Sequence, residues 1–174
     1  MKSRKKKNNH NLNGYIFLLP LFNDWDSCKI LLNKINSKIK KLHEKAEVVI
    51  VNDNSNISNP KFKFLSNINK IKILDLNKNV GSQKAISIGL KFLKNKIKKN
   101  KIITILDSDG EDDVNKIPEM IKAAKINHSK VIVSSRTKKG FTNQKRRLPK
   151  KVKPKQKIGI IVFLIGDLLN LCPV

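Results

Sequence analysis

Five carboxylates stand within seven consecutive residues, Asp107-Ser108-Asp109-Gly110-Glu111-Asp112-Asp113, in a chain of 174 residues with only 13 acids against 38 Lys and Arg. An even spread would put about half a carboxylate in such a window, so the density points to a bound cation. Asp107 and Asp109 flank one small residue, and at a loop bend both can face a single divalent ion. Mg²⁺ or Mn²⁺ is satisfied by one or two carboxylates when substrate phosphate oxygens complete its shell, and it neutralises charge that builds on a departing diphosphate. A calcium loop fits badly, because Gly110 stands fourth in the run rather than sixth and no Glu stands twelfth. The competing reading is an acidic turn that only caps the helix after it.

Three further groups carry chemistry. Asn52-Asp53-Asn54-Ser55 can accept hydrogen bonds from a base or ribose, or form a simple Asx-type turn. Asn79-Val80-Gly81-Ser82-Gln83-Lys84 is a turn opening a helix whose first N–H groups, with Lys84, can face phosphate or ribose. Arg136 can grip a phosphate through two parallel hydrogen bonds. No GxGxxG follows the first apolar run and no GxxxxGK[ST] occurs anywhere, which counts against a dinucleotide Rossmann enzyme and a P-loop NTPase.

These groups fall at the ends of short apolar runs that alternate with amphipathic stretches. Strands are expected at Tyr15 to Leu19, Val48 to Val51, Ile71 to Leu76, Ile102 to Leu106 and Val131 to Val133. Helices are expected after Asp26-Ser27, which offers an N-cap, after Gly81-Ser82, and over about Val114 to Ile126, where Pro118 is tolerable near the start. Strands apolar on both faces in strict alternation with helices argue for a mostly parallel sheet covered on both sides. Right-handed crossovers then bring every strand C-terminus, and every polar cluster above, to one edge.

The charge of +25 is ambiguous by itself. Lys supplies 34 of the 38 basic residues, and Asn (21) and Ile (23) are inflated with it, so the excess reads either as a bias of the whole sequence or as a footprint for an anionic partner. Only four Arg and 5% aromatic residues leave few base readers or stacking platforms, which counts against a specific nucleic acid. Cys28 and Cys172 form no CxxC pair, so neither zinc nor a disulfide framework is expected and a reducing cytoplasm is the default. A basic tail, 1–14, precedes the domain over 15–140. A secretory signal is not expected there, because Pro20 breaks the apolar run and no small-residue cleavage site follows. A basic linker, 141–157, leads to an apolar segment, 158–174, that is too short to span a bilayer as a helix and is expected to lie on an anionic membrane surface.

The ordered set of motifs resembles family 2 glycosyltransferases over about residues 15–137. Val49 to Ser55 is similar to their VVDDGS-type segment, with Asn52 and Asn54 replacing Asp and Gly. Asn79-Val80-Gly81 is similar to their helix start, and Leu106 to Asp112 with Pro118 to their DxD segment. Ser134-Ser135-Arg136 resembles the Gly-Ser-Arg segment of the dolichyl- and polyprenyl-phosphate sugar synthases, and Pro20 to Asp24 the end of the family's first strand. The resemblance implies a GT-A fold, a three-layer α/β/α arrangement. It implies inverting transfer of a sugar from a nucleotide-diphosphate donor to a polyprenyl phosphate or glycan acceptor, at the cytoplasmic face of a membrane. By that resemblance Asp53 holds the base, Pro20, Phe22 and Asp24 line its pocket, and Lys84, Ser108 and Arg136 contact the nucleotide. Asp107 and Asp109 bind Mg²⁺ or Mn²⁺ and diphosphate, and Asp109 and Glu111 are the catalytic residues. A catalytically inactive remnant that binds membrane or nucleic acid through its basic surface, and a nucleotidyltransferase on a related fold, are the alternatives.

Overall fold

In a computed structural model of the protein, residues 14–96, 101–127, 131–135 and 158–164 are described. Their sheet has six strands in the order β3-β2-β1-β4-β6-β5. These are β1 (Tyr15–Leu21), β2 (Ala46–Asn52), β3 (Ile68–Asp75), β4 (Ile102–Ile105), β5 (Val131–Ser135) and β6 (Ile158–Leu164). The pairs β1–β2, β1–β4 and β2–β3 are parallel, whereas β6 runs antiparallel to both β4 and β5. The expected mostly parallel α/β architecture is therefore present.

β1 lies at the centre, buried along its whole length. Its alternate residues feed two cores. Tyr15, Phe17, Leu19 and Leu21 pack with α1 (Trp25–Lys41) and α3 (Ile117–Asn127) on one face. Ile16 and Leu18, with Val49, Val51, Ile103 and Ile105, pack under α2 (Ser82–Lys96) on the other. Helix α2 presents Ala85, Gly89 and Leu93, four apart and hence on one stripe. Gly89 is a close-approach position: a Cβ there would lie 2.5 Å from Leu18 Cδ1 and 2.9 Å from Val51 Cγ2, so only hydrogen fits between helix and sheet.

Pro20 is accommodated inside a central strand by register. Leu18 C=O accepts from Leu106 N–H, so even-numbered residues of β1 direct their backbone groups toward β4. The β1–β4 ladder ends at the Leu18–Ile105 pair, and the missing N–H of Pro20 falls just beyond it.

Several expectations need correction. Residues 158–164 form a strand, where the sequence suggested a surface helix, and β6 fills the gap between β4 and β5. The segment is seven residues rich in Ile, Val and Phe, which suits a pleat, and β4 offers it an open hydrogen-bonding edge. The sheet thus extends past the boundary expected at 140; Leu168, Leu169 and Leu171 lie outside the described residues, as do the tail 1–13 and the linker 141–157. β3 is not apolar on both faces, since as an edge strand it exposes Lys70 and Lys72. Helix α1 begins at Trp25, ahead of the Asp26-Ser27 cap. Trp25 is anchored by its indole N–H, which donates to Ile57 C=O at 3.1 Å, and Asp24 C=O accepts the first helical bond from Cys28. No helix among the described residues is long and apolar enough to cross a membrane.

Cys28, fully buried in α1, yields a test of this packing. Burial, reinforced by the charge of Asp24, pushes its thiol from 9.0 up to about 12. Between those values the folded protein retains a proton that the unfolded one has lost, so the contribution is complete below pH 9.0 and declines as pH rises toward about 12. Urea titrations of wild type and Cys28→Ala should therefore converge above pH 9.0, by up to about 1.4 kcal/mol per pH unit. A pH-independent difference would contradict the buried thiol.

Candidate active site

The C-terminal ends of β1, β2, β3 and β4 share one edge of the sheet, as parallel pairing requires, and the loops that leave them are tied together. After β1, Asn23 takes a left-handed conformation (φ 59) that turns its N–H onto Ser55 Oγ at 2.9 Å, while its Oδ1 accepts from Asn56 N–H at 2.7 Å. Asn54, where the resembling family has Gly, is also left-handed (φ 60); Asn tolerates this region because its short polar side chain bonds locally. Pro20 is buried in β1, Phe22 is half-exposed in the stapled loop, and Asp24 sits half-buried at the entry to α1.

Asp53 is 3% exposed, and both carboxylate oxygens are engaged: Val80 N–H donates to Oδ1 at 2.7 Å and Gly81 N–H to Oδ2 at 2.8 Å. Its own N–H donates to Leu21 C=O at 2.7 Å, so this residue joins β1, β2 and the start of α2. Gly81 (φ 84) makes the turn, and its C=O accepts from Ala85 to begin the helix. The Asp53 carboxylate therefore meets the positive end of α2, leaving the exposed Ser82, Gln83 and Lys84 of the first turn open to solvent.

Asn52 is nearly buried and fully used. Its Oδ1 accepts from Ser55 N–H at 3.1 Å, and its Nδ2 donates to Asp75 Oδ1 at 2.8 Å across the β2–β3 register. Asp75 escapes a sequence reading because it lies inside an apolar run; the only signal is that the run's last residues flank a carboxylate.

The acidic run leaves β4 as a structured loop. Asp109 Oδ1 accepts from Glu111 N–H at 2.9 Å, a short turn that Gly110 (φ 77) completes. Asp112 is 5% exposed, and its Oδ2 accepts from Asp107 N–H at 3.0 Å, fixing the backbone that presents Asp107. Asp113 caps the single 3₁₀ turn Val114–Lys116 through Asn115 N–H at 3.0 Å. The expectation that Asp112 and Asp113 both serve the following helix holds for Asp113, whereas Asp112 braces the loop. Ser108 is buried, Asp107 half-buried, and Asp109 and Glu111 are exposed. Ser134 and Ser135 end β5, and Arg136 lies outside the described residues.

Among the described residues no group of three or more His, Cys, Asp or Glu side chains is gathered to hold a metal. Asp107 and Asp109 thus do not belong to a closed cage. Two hard oxygen donors at an open loop suit Mg²⁺ or Mn²⁺ that takes its remaining ligands from water and phosphate. A hollow of about 450 Å³ lined by Glu47, Lys70, Lys72, Phe92, Lys96 and Lys101 lies at the opposite end of the strands and shares no residue with these loops.

A parallel α/β core with a single antiparallel insertion, and with loops bearing Asp after both β2 and β4, defines a nucleotide-sugar-binding domain of the GT-A kind. The chain belongs to Glycosyl transferase family 2, whose sequence model matches residues 17–169. Among solved structures it is similar to S. aureus TarS residues 1–349, with 21% identity and a TM-score of 0.49 over 68% of this protein and 34% of that one. It is also similar to the longer S. aureus TarS structure, with 18% identity and a TM-score of 0.41 over 68% and 20%. The sequence thus spans about a third or less of the TarS chains it resembles. No curated protein matches it.

Proposed function

We propose that the protein transfers a sugar, with inversion, from a nucleoside-diphosphate donor bound along the C-terminal edge of its sheet. The observation that carries this reading is the braced Asp107-Ser108-Asp109 loop, set on the same edge as the Asp53-anchored start of α2 in a family 2 protein. Asp107 and Asp109 are the residues that would hold Mg²⁺ or Mn²⁺, which supplies positive charge to the diphosphate as it leaves. The stapled loop carrying Phe22, with Pro20 and Asp24 behind it, bounds the nucleoside end, while Lys84 and Ser108 face the nucleotide from α2 and β4.

For the transfer, an acceptor oxygen forms the new bond at the anomeric carbon as the bond to the diphosphate breaks on the opposite side. The bonding electrons depart with the nucleoside diphosphate. A phosphate acceptor is already an anion and needs no base; with a hydroxyl acceptor, Glu111 would take the proton. A polyprenyl phosphate is favoured over a glycan by the Ser134-Ser135-Arg136 likeness, and the basic stretch 150–157 suits an anionic cytoplasmic membrane surface.

Calorimetry on the full-length protein tests this reading. Nucleoside diphosphate should bind with Mn²⁺ present and bind much more weakly in EDTA, and addition of polyprenyl phosphate to a sugar donor should release nucleoside diphosphate. Absence of binding with metal present would overturn the reading, and release of pyrophosphate would reassign the protein to nucleotidyl transfer.

A further inference from the structure

Asp75 is an exposed carboxylate at the nucleoside end of this edge that the donor reading leaves without a task. Its orientation is set from beneath: Asn52 Nδ2 donates to Oδ1 at 2.8 Å, and Asn52 is itself held by Ser55 N–H and almost wholly buried. A side chain fixed in this way by a buried amide loses less freedom when it binds than one sampling solvent. Asp53, the next residue after Asn52, has both oxygens committed to the Val80 and Gly81 amides and is 3% exposed. The end of β3 therefore presents a pre-set acceptor where the end of β2 presents an occupied one.

On the basis of the donor reading above, we propose that Asp75 reads the nucleobase and that the base is guanine. An ionised carboxylate only accepts hydrogen bonds, and two parallel bonds are its strongest arrangement. Guanine places N1–H and the N2 amino group side by side, so it can donate both to one carboxylate. Uracil places N3–H between two carbonyl oxygens, and either carbonyl set against the second carboxylate oxygen is repelled. Adenine and cytosine each pair an amino donor with a ring acceptor and lose one of the two bonds. A site with a fixed polar partner rejects a ligand that leaves it unpaired more strongly than an apolar pocket rejects a change of shape. The half-exposed Phe22 ring, on the loop stapled to β2, offers an apolar face against which a purine can stack.

The test is calorimetry of the full-length protein with Mn²⁺, comparing GDP with UDP on wild type and on Asp75→Asn. Wild type should bind GDP at least about tenfold more tightly than UDP, the discrimination expected of one good two-bond contact. In Asp75→Asn the amide oxygen still accepts from Asn52 or from the base, but its NH₂ group now matches a carbonyl of uracil. The preference should shrink to about threefold or reverse. A wild type that prefers UDP, or a ratio unchanged in Asp75→Asn, overturns the guanine assignment and leaves the donor reading standing. Failure of both nucleotides to bind overturns both. Should Asp75→Asn melt early, the wild-type ratio alone decides.

Discussion

Asp109→Ala is expected to lower sugar transfer by about 10²–10³ while leaving the fold almost untouched, because one preorganised group that stabilises developing charge has an effect of that order. Asp109 is exposed, and it accepts from Glu111 N–H within its own turn. Loss of a solvent-exposed turn bond costs about 0.5–1 kcal/mol at most, so the melting temperature should shift by only a few degrees. The separation between function and stability is the informative part. Asp109→Asn sharpens it, since an amide oxygen can still accept from Glu111 N–H but supplies no negative charge to a cation. Both variants should lose metal-dependent nucleotide binding together. If Asp109→Asn retains Mn²⁺-dependent affinity within about twofold of wild type, the charge of Asp109 is not a metal ligand.

Asp53→Ala should behave in the opposite way, costing stability first and binding as a consequence. The carboxylate is buried and accepts from two backbone amides, and hydrogen bonds to a charged group contribute about 1.5–3 kcal/mol each, with further cost for amides left unpaired. A loss of about 2–4 kcal/mol is expected, read as a lower urea midpoint with an unchanged slope. Since Gly81 opens α2, the same change frees the helix start, and nucleotide affinity should fall even at temperatures where the variant remains folded. Asp53→Asn, which can satisfy only one of the two amides by accepting, should lie between. A midpoint indistinguishable from wild type would mean that the Val80 and Gly81 amides find other partners, and that α2 is positioned by packing through Ala85, Gly89 and Leu93 alone.

The two variants also show where a sequence is readable. Asp107 and Asp109 announce themselves because a dense acidic run after a β-branched strand has few explanations, and the strand itself is evident from Ile102, Ile103 and Ile105. The alternation of apolar runs with amphipathic helices likewise exposes the parallel core. Roles set by register remain hidden. Asn52 and Asp75 are 23 residues apart and meet only because β2 and β3 pair with those two residues opposite each other. Asp112 bonds back to Asp107 across a loop whose path depends on Gly110, so local charge suggested a helix cap for it when it is a brace. β6 is the largest case. Its seven residues suit a short buried helix or a strand, and what decides is the vacant edge of β4, which no local window contains.

The antiparallel insertion also governs the order in which the sheet is completed during synthesis. Strands β1 to β4 pair among themselves, so a nascent polypeptide ending just past residue 106 already holds the central ladder. β5 has no such partner, because among the described strands it meets the sheet only through β6. Until residue 164 has emerged, β4 and β5 each offer a row of unmet N–H and C=O groups, the kind of edge at which molecules join one another in error. Of the described strands, the last made is therefore the one that seals the sheet. Growing polypeptides are most vulnerable to misassembly during the interval between synthesis of β5 and arrival of β6.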